Sequence, residues 1–592
     1  VILDSIKHIA PAIRRASALG AMSPLSWLLP SGHVSFHHSK ENQLLLTKKS
    51  EKGEKTRIRL ADLCRSATPP TCQLNPFLFN GHLQTAYTLV KNCDVPIYYK
   101  RKMFQADNPV FSGQFAIDFV VEPYEETDDA ERTDKARKYT LPSGLPQRTV
   151  FFTEEEFAAL PSDDSKPMLV LLHGLSGGSH EIYLRHVLAP LVAEGGWEAC
   201  VVNSRGCAQT KISSGVLYNA RATWDVRQAV KWLRKTFPNR PLFGIGFSLG
   251  ANILANVRKK IQYNSLFFLS WARAYVDHFS VSVDLGEEGE ACQLKAAVLV
   301  ANPWNLEVSS LALQRSYLGL EAYSKTMGSN MKRLFEQYAT PPAKLLVTFG
   351  PLSSRVQAVE EVSKNPRVNV EEVMKAHTFM NSTGKYPVNK YRLRVSDYSY
   401  ANSDRRALQG PTWGYPTETA YYRDASSVDS LFAIRIPFFA LQAEDDPVSL
   451  MIDSHGDADR CQISTKEALP YQEITKTPYG VMCTTSWGGH LGWFEYGGGR
   501  WFVKPVSSFD IFKSRTLYKG TQTMLTVFIE IANFLNMMAK EIDLNSPFVL
   551  ENDILPGRLS RHNETDKDPD TAPKPDFNPM RRKLGMPMVP PN

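Results

Sequence analysis

The sequence is poor in the signatures of several protein classes. It contains eight cysteines, but none forms a C-x-x-C pair, and its 13 histidines include no H-E-x-x-H motif. This argues against a disulfide framework and a metal site, so we expect neither a metal nor a cofactor. Uninterrupted apolar runs are shorter than the roughly 18 residues that a membrane-spanning helix needs. The sequence has no basic stripe with interleaved aromatic residues, so it gives no indication of a nucleic-acid partner.

What the sequence does contain is the composition of an ordinary globular protein. The chain has 592 residues, of which 43% are hydrophobic and 22% are charged, and its net charge is +7. A chain of this length can bury a large core without covalent or metal cross-links. The scattered cysteines are typical of small buried residues in a reducing compartment, so we expect an intracellular protein, either cytoplasmic or peripheral to a membrane.

Short apolar runs alternate with helical patterns through the middle of the chain. Residues 222–233 place apolar side chains on one face of a helix, and residues 251–255 are apolar on nearly all sides. Strands this hydrophobic, alternating with helices, indicate a doubly wound α/β fold around a mostly parallel sheet. The predicted strands are residues 168–172, 199–202, 242–247, 296–301, 438–442 and 481–484.

The two ends and one internal stretch depart from this alternation. The first residues are basic and acid-poor, which suggests an unstructured lead with Met22 as a candidate initiator, or alternatively an amphipathic targeting arm. The proline-rich C-terminal end is predicted to be disordered. The resulting division is a partly disordered N-terminal extension (1–59), a core (60–305 and 430–550), an inserted helical lid (306–429) and a disordered tail (551–592).

One G-x-S-x-G motif stands between a predicted strand and a predicted helix. In residues 246–250 (GFSLG) the glycines allow a tight turn, which presents the hydroxyl of Ser248 above the sheet. Residues 174–178 (GLSGG) fit the same pattern and make Ser176 the alternative, but no apolar helix starts there. We therefore predict Ser248 as the nucleophile.

A serine nucleophile needs a base and an acid that orients the base. In this fold they follow the serine in the order acid, then histidine, each after a strand. Asp445 and Asp446 follow the strand at 438–442, and His490 follows the strand at 481–484 within a glycine-rich loop. Asp446 is preferred over Asp445 because Pro447 fixes the turn directly after it.

An attacked carbonyl oxygen also needs hydrogen-bond donors. The backbone N–H of Leu249 lies at the predicted helix start, and that of Leu175 lies in the turn after His173. We expect these two groups to form the oxyanion hole. His173 itself is interpreted as a structural partner of that turn.

Five short motifs follow one another along the chain. They are NPFLFNGHLQT (75–85), HGLSGG (173–178), NSRGC (203–207), GFSLGAN (246–252) and GGHLG (488–492). In this order they resemble the AB-hydrolase 4 family of α/β hydrolases, over residues 60–543. The resemblance is greatest to its fungal-type branch of medium-chain fatty-acid ethyl ester synthase/esterases and monoacylglycerol lipases. The motif at 75–85 is interpreted as a strap that packs on the core. Some relatives carry an H-x-x-x-x-D acyltransferase motif, and Glu495 stands here at the acid position.

The resemblance implies a triad of Ser248, Asp446 and His490 and no cofactor. It also implies that the partners are acyl esters, acylglycerols, or acyl-CoA with an alcohol. Peripheral contact with a membrane or lipid droplet stays open as an alternative to a cytoplasmic location. We therefore expect a serine hydrolase or acyltransferase. Because the tight turn at 246–250 carries a serine, it excludes a carboxylate nucleophile such as that of epoxide hydrolases. The alternative is a catalytically silent scaffold that binds lipid or a partner protein.

Five stretches interrupt the family pattern, and several have Val-Arg, Val-Ser or Gly-Lys at or near their start. Such dipeptides can be encoded by splice donors. Our hypothesis is that some of the stretches are translated introns, which sequencing of the mature transcript tests, whereas genuine surface insertions are the alternative. The stretches are residues 257–284, 340–357, 381–397, 450–465 and 506–531.

Overall fold

A computed structural model describes most of the predicted core. The described residues are 31–50, 56–90, 95–107, 111–125, 129–141, 144–193, 195–256, 292–315, 322–323, 326–327, 330, 418–448, 468–496, 499–504 and 534–554. All five interrupting stretches lie outside these ranges, as do the first 30 residues, most of the predicted lid and most of the predicted tail. None of the helices in the described ranges is both long and apolar enough to cross a membrane.

Strands dominate the first part of the described chain, and helices alternate with strands after residue 168. The strands are β1 (Ser31–Gly32), β2 (Val34–His38), β3 (Leu44–Thr47), β4 (Arg57–Arg59), β5 (Cys72–Gln73), β6 (Tyr98–Gln105), β7 (Gln114–Val121), β8 (Thr149–Phe151), β9 (Met168–Leu172), β10 (Glu198–Asn203), β11 (Leu242–Phe247), β12 (Leu294–Val300), β13 (Phe438–Ala443), β14 (Gly480–Thr485) and β15 (Val549–Leu550). The helices are α1 (Leu60–Ser66), α2 (Gly81–Val90), α3 (Ala130–Tyr139), α4 (Glu154–Ala158), α5 (Ile182–Val192), α6 (Thr223–Thr236), α7 (Leu249–Ala255), α8 (Leu306–Arg315), α9 (Glu418–Ala425), α10 (Tyr471–Lys476) and α11 (Phe534–Lys540), and two 3₁₀ helices span Val428–Ala433 and Glu551–Asp553.

A ten-stranded sheet in the order β2-β14-β13-β12-β11-β9-β10-β7-β6-β8 forms the centre of the molecule. Its six middle strands are mutually parallel, and they are the six strands predicted from the apolar runs. In spatial order they are β14, β13, β12, β11, β9 and β10. The prediction of a mostly parallel α/β sheet is therefore confirmed. Strands β2 and β7 join its two sides antiparallel.

The two faces of the sheet belong to two separate apolar clusters. In β9, Met168, Val170 and Leu172 point into one cluster, whereas Leu169 and Leu171 point into the other. Helices α6 and α7 cover the first face, and helices α5 and α11 cover the second. Because successive strand residues point to opposite faces, a strand covered on both sides must be apolar throughout. This is why these strands are visible in the sequence as continuous runs.

The N-terminal part of the chain joins the sheet earlier than the sequence indicated. Strand β2, which lies inside the predicted extension at 1–59, pairs with β14 and forms the sheet edge. Its sequence, VSFHH, mixes polar and apolar side chains, because an edge strand is only partly covered. Part of the segment predicted as an N-terminal extension therefore belongs to the sheet. Strands β6, β7 and β8, which lie within the predicted core, extend the sheet on its other side.

Both predicted boundaries near the lid and the tail also need correction. Helix α9, which lies inside the region assigned to the lid, is part of the core: Asn252 Nδ2 donates to the carbonyl oxygen of Ala425 at 2.8 Å, and Tyr421 and Ala425 are buried. Residues Glu551–Asp553, assigned to the tail, form a 3₁₀ helix. The backbone N–H of Glu551 donates to the carbonyl of Gln43 at 2.9 Å, which anchors that end to the N-terminal strands.

Candidate active site

Ser248 occupies a strained turn between β11 and α7. Its backbone has φ 52° and ψ −119°, a conformation that costs a residue with a side chain on the order of 1–3 kcal/mol. A Cβ on Gly246 would lie 2.5 Å from the Cα of Ala251, and a Cβ on Gly250 would lie 2.4 Å from the carbonyl oxygen of Leu172. Only glycine fits at both positions, so the turn can bring its serine to the carboxyl edge of the sheet.

The structure brings the three side chains predicted for the site together at this edge. His490 Nε2 lies 2.8 Å from Ser248 Oγ, and His490 Nδ1 lies 2.8 Å from Asp446 Oδ2. Ser248 is nearly buried and Asp446 is fully buried. The three side chains therefore form one hydrogen-bonded chain in the order Ser248, His490, Asp446. Within it, the imidazole is placed to accept a proton from the serine hydroxyl.

The two neighbouring aspartates that the sequence left as alternatives have different partners. Besides His490, Asp446 accepts hydrogen bonds from Gln442 Nε2 at 3.3 Å and from the backbone N–H of Val448 at 2.9 Å. Asp445 instead accepts the backbone N–H of Gly489 at 2.9 Å. Burial raises the pKa of the Asp445 carboxyl to about 6. Asp446 thus contacts the imidazole, whereas Asp445 contacts the loop that carries it.

Ser176, the alternative nucleophile, is bonded within its own loop. Its hydroxyl donates to the carbonyl oxygen of Leu175 at 2.7 Å, and its backbone N–H donates to the Tyr218 hydroxyl at 2.7 Å. The His490 imidazole is bonded to Ser248 and Asp446 and not to this serine. The context argument that separated the two G-x-S-x-G motifs agrees with this geometry.

The loop after β9 passes beside the nucleophile. A Cβ on Gly174 would lie 3.5 Å from the Cβ of Ser248. In the described part of the chain, the neighbouring N–H of Leu175 donates to no protein acceptor, and the N–H of Leu249 is in the first turn of α7, where helices leave such groups without an intrahelical partner. Neither predicted donor is thus assigned a protein acceptor among the described residues, and their role as an oxyanion hole stays a prediction.

The His173 side chain holds this loop in place through two hydrogen bonds. Its Nδ1 lies 2.6 Å from the carbonyl oxygen of Gly174 and its Nε2 lies 3.0 Å from the backbone N–H of Ser204. A carbonyl can only accept and an N–H can only donate, so the ring is neutral with its proton on Nδ1. Burial lowers the pKa of His173 to about 4, which favours the same state. The side chain is structural, as its position in the turn suggested.

A buried ion pair that the sequence did not reveal holds the far end of the loop. Arg101 Nε and Nη2 donate to the two carboxylate oxygens of Asp118 at 2.6 and 2.7 Å, and both side chains are fully buried. Asp118 Oδ2 also accepts the hydroxyl of Ser179 at 2.5 Å. The pair bridges β6 and β7 and connects them to the loop that contains Leu175. Two charged residues in separate strands give no local motif, so only the pairing of the strands reveals the contact.

Comparisons with known proteins agree with this fold. Residues 167–258 match the family model described as alpha/beta hydrolase fold. A monoacylglycerol lipase of Saccharomyces cerevisiae is 30% identical over 460 residues, covering 76% of this chain and 82% of the lipase. A medium-chain fatty acid ethyl ester synthase/esterase of the same yeast is 28% identical, covering 74% of this chain and 84% of that protein. A human phospholipase, ABHD3, is 23% identical, covering 58% of this chain and 63% of that protein.

The chain belongs to the α/β-hydrolase family. This confirms the family resemblance given by the five motifs. The two yeast relatives are named as a lipase and an esterase, which supports carboxylic ester hydrolysis as the activity of this hydrolase.

Glu495, the residue at the acid position of the H-x-x-x-x-D pattern, lies outside the hydrogen-bonded chain. Its carboxylate is paired with Lys504 Nζ, and its side chain is mostly buried. Burial raises the pKa of this carboxyl. Among the residues that the structure describes, no group of three or more His, Cys, Asp or Glu side chains is arranged to hold a metal ion.

Proposed function

We propose that this hydrolase cleaves medium-chain acyl esters through a covalent acyl-enzyme on Ser248. The observation that carries the proposal is the chain of two 2.8 Å hydrogen bonds from Ser248 Oγ through His490 to Asp446. A serine hydroxyl is a weak nucleophile at neutral pH, and a histidine at this distance can take its proton during attack.

The reaction has two halves that use the same imidazole. Ser248 Oγ attacks the carbonyl carbon while His490 Nε2 takes the hydroxyl proton, and the negative oxygen accepts hydrogen bonds from the N–H groups of Leu175 and Leu249. The intermediate then expels the alcohol, which receives the proton from Nε2. Asp446 accepts the Nδ1–H throughout, so it keeps the ring in the required tautomer and stabilises its charged form.

Water or an alcohol completes the cycle. Either one attacks the acyl carbon while His490 takes its proton, and that proton then passes to Ser248 Oγ as the bond to the serine breaks and a fatty acid or a new ester is released. The named relatives suggest monoacylglycerols and ethyl esters of medium-chain fatty acids as substrates. We also propose acyl-CoA as an acyl donor when an alcohol is the acceptor. Exclusion of water from the site would favour the alcohol, so the same residues serve both reactions.

The decisive test is covalent labelling. A fluorophosphonate probe reacts with a serine that is activated by a neighbouring base, so the wild-type protein should be labelled and Ser248→Ala should not. Ser176→Ala is the matched control and should label like the wild type. A folded wild-type protein that resists the probe contradicts the proposal and favours a silent scaffold.

The acyl specificity can be measured on a series of p-nitrophenyl esters. We expect a maximum of kcat/KM at medium chain lengths, and we expect ethanol to divert part of the acyl-enzyme into ethyl ester. A flat dependence on chain length would contradict the medium-chain assignment. Absence of ethyl ester at high ethanol would restrict the enzyme to hydrolysis.

We further propose that the enzyme works at a lipid surface. Phe77 and Phe79 are 71% and 66% exposed, and they lie in the strap that leads into α2, next to the aspartate loop. Two exposed phenylalanines cost free energy in water and regain it in lipid, at about 1.5–3 kcal/mol each. The site would then face the acyl esters that it hydrolyses.

Vesicle binding tests this surface. Phe77→Ser combined with Phe79→Ser should lower the partition coefficient onto phosphatidylcholine–phosphatidylglycerol vesicles at least about tenfold. Ile554→Ser, which changes an exposed apolar side chain in the C-terminal 3₁₀ segment, should leave binding unchanged. Equal binding of the double variant and the wild type would reject the lipid-surface assignment.

A further inference from the structure

The loop that carries His490 has a strained backbone. Gly489, Leu491 and Trp493 all have positive φ, of 63°, 57° and 47°. The left-handed conformation costs residues with a side chain on the order of 1–3 kcal/mol each, and it persists only where the surroundings impose it. Contacts from outside the loop must therefore hold this backbone in place.

Helix α2 supplies such contacts on the C-terminal side of His490. Gln84 is fully buried, and its Oε1 accepts the backbone N–H of Phe494 at 2.7 Å. Its Nε2 donates to the carbonyl oxygen of Leu78 at 3.0 Å. One amide side chain thus joins the strap, the helix and the end of the histidine loop.

Thr85 contacts His490 itself. Its Oγ1 accepts the backbone N–H of His490 at 2.8 Å and donates its own proton to the carbonyl oxygen of Gly81 at 2.6 Å. A Cβ on Gly489 would lie 2.7 Å from this hydroxyl oxygen. The threonine is therefore in close contact with the loop, at the residue that carries the imidazole.

The same helix start also touches the aspartate loop. A Cβ on Gly81 would lie 1.9 Å from the carbonyl oxygen of Asp445, so the backbone of the helix rests directly on that residue. Asp445 in turn accepts the N–H of Gly489. The first turn of α2 therefore lies against both loops whose side chains must meet at 2.8 Å.

We propose that Thr85 is a positioning residue for His490, and that the strap and helix α2 form a clamp that sets the distance of the imidazole from Ser248. This inference rests on the proposed function. It assigns the motif at 75–85 a part in the reaction beyond packing, because the motif supplies the acceptor that fixes the histidine backbone.

The test replaces the hydroxyl without changing the shape of the side chain. Thr85→Val should lower kcat about 10- to 100-fold with KM nearly unchanged, because a base displaced by a fraction of an ångström transfers protons poorly. Thr85→Ser keeps the oxygen and should remain within about twofold of the wild type. The pH profile of kcat/KM should also change in Thr85→Val, since the environment of His490 changes, and should be restored in Thr85→Ser.

A matched control is available one turn along the same helix. The Thr88 hydroxyl donates to the carbonyl of Thr85 at 2.6 Å, so Thr88→Val removes a hydroxyl bonded only to the helix backbone and should change kcat by no more than about twofold. Thr85→Ala serves if Thr85→Val does not fold, since it also removes the oxygen but adds no bulk.

Fluorophosphonate labelling separates the positioning role of Thr85 from the proposed acyl-enzyme function. If the wild type is labelled at Ser248 and Thr85→Val is labelled at the same rate, with the same kcat and pH profile, the positioning role is wrong while the proposed function stands. If the wild type is not labelled, the proposed function itself fails. A loss of kcat in Thr85→Ser as large as that in Thr85→Val would also contradict the inference, because the hydroxyl would then not be what matters.

Discussion

The serine turn and the histidine loop differ in what holds them. The turn at Ser248 joins a buried strand to a buried helix within residues 246–250, and its two glycines lie against the first turn of α7 and the end of β9. The loop at His490 depends on Thr85 and Gln84, which are 405 and 410 positions away along the chain from the groups they bind. The nucleophile is therefore positioned by its own turn and by the strand ends beside it in the sheet, whereas its base is positioned by a helix from the N-terminal part of the chain.

The comparison also explains why two adjacent aspartates have different tasks. Asp446 is fully buried and bonded to the imidazole, and Asp445 supports the loop backbone. Both follow the same strand, so the backbone turn directs one side chain toward the site and the other toward Gly489. Each prediction below changes one of these supports.

The largest effect is expected for the acid that touches the imidazole. Asp446→Asn should lower kcat about 10⁴-fold. An amide donates to Nδ1 and so moves the ring proton to Nε2, and a protonated Nε2 cannot accept the proton of the Ser248 hydroxyl. Asp445→Asn is the matched control and should retain most of the activity at neutral pH. Steady-state kinetics on a p-nitrophenyl ester measure both. Equal losses in the two variants would contradict the separation of their roles.

An intermediate effect on stability is expected at the buried ion pair behind the loop of Leu175. Arg101→Met leaves Asp118 charged and buried without its partner, which should reduce the free energy of unfolding by about 3–5 kcal/mol. Lys102→Met removes a neighbouring cation whose partner Glu154 is 64% exposed, and should cost at most about 1 kcal/mol. Urea unfolding of both variants compares them. Similar midpoints would show that burial does not decide the strength of these contacts.

The smallest effect concerns the pH dependence of stability at Asp445. Its pKa is raised from 3.8 to about 6 in the folded protein, so folding favours the neutral carboxyl. Below pH 3.8 both states are protonated and nothing is lost. As the pH rises from 3.8 to 6, the unfolded state releases its proton first and the folded state loses up to about 3 kcal/mol relative to it.

Asp445→Asn removes this titration but keeps an oxygen to accept the Gly489 N–H. The stability of the variant relative to the wild type should therefore increase between pH 4 and pH 6 and remain constant above. Urea unfolding across this range measures the difference. A difference that does not vary with pH would mean that the carboxyl is not held neutral.

Much of the fold and of the candidate site was predictable because its signals are local. A strand covered on both faces must be apolar at every position, so the six middle strands appear as continuous runs. A tight strand-to-helix turn needs glycines around the serine, and the order of acid and histidine follows from the order of the strands. These constraints apply to a few consecutive residues each, and all are written in the sequence.

The edge strands and the supports of the site were less visible for the opposite reason. Strand β2 is half covered and therefore mixes polar and apolar residues. Arg101 and Asp118 are ordinary charged residues until β6 and β7 pair, and Thr85 is an ordinary helix residue until α2 meets the histidine loop. Sequence spacing contains no information about such contacts, since each partner is compatible with many others.

The sequence by itself determined the six middle strands of the sheet, the serine turn and the family of this hydrolase, because each depends on side-chain patterns within one strand, one turn or one short motif. The tertiary structure decided which aspartate faces the imidazole and which distant hydroxyl fixes the histidine backbone. Those choices depend on distances of about 2.8 Å between groups far apart in the chain, and such distances exist only after the chain has folded.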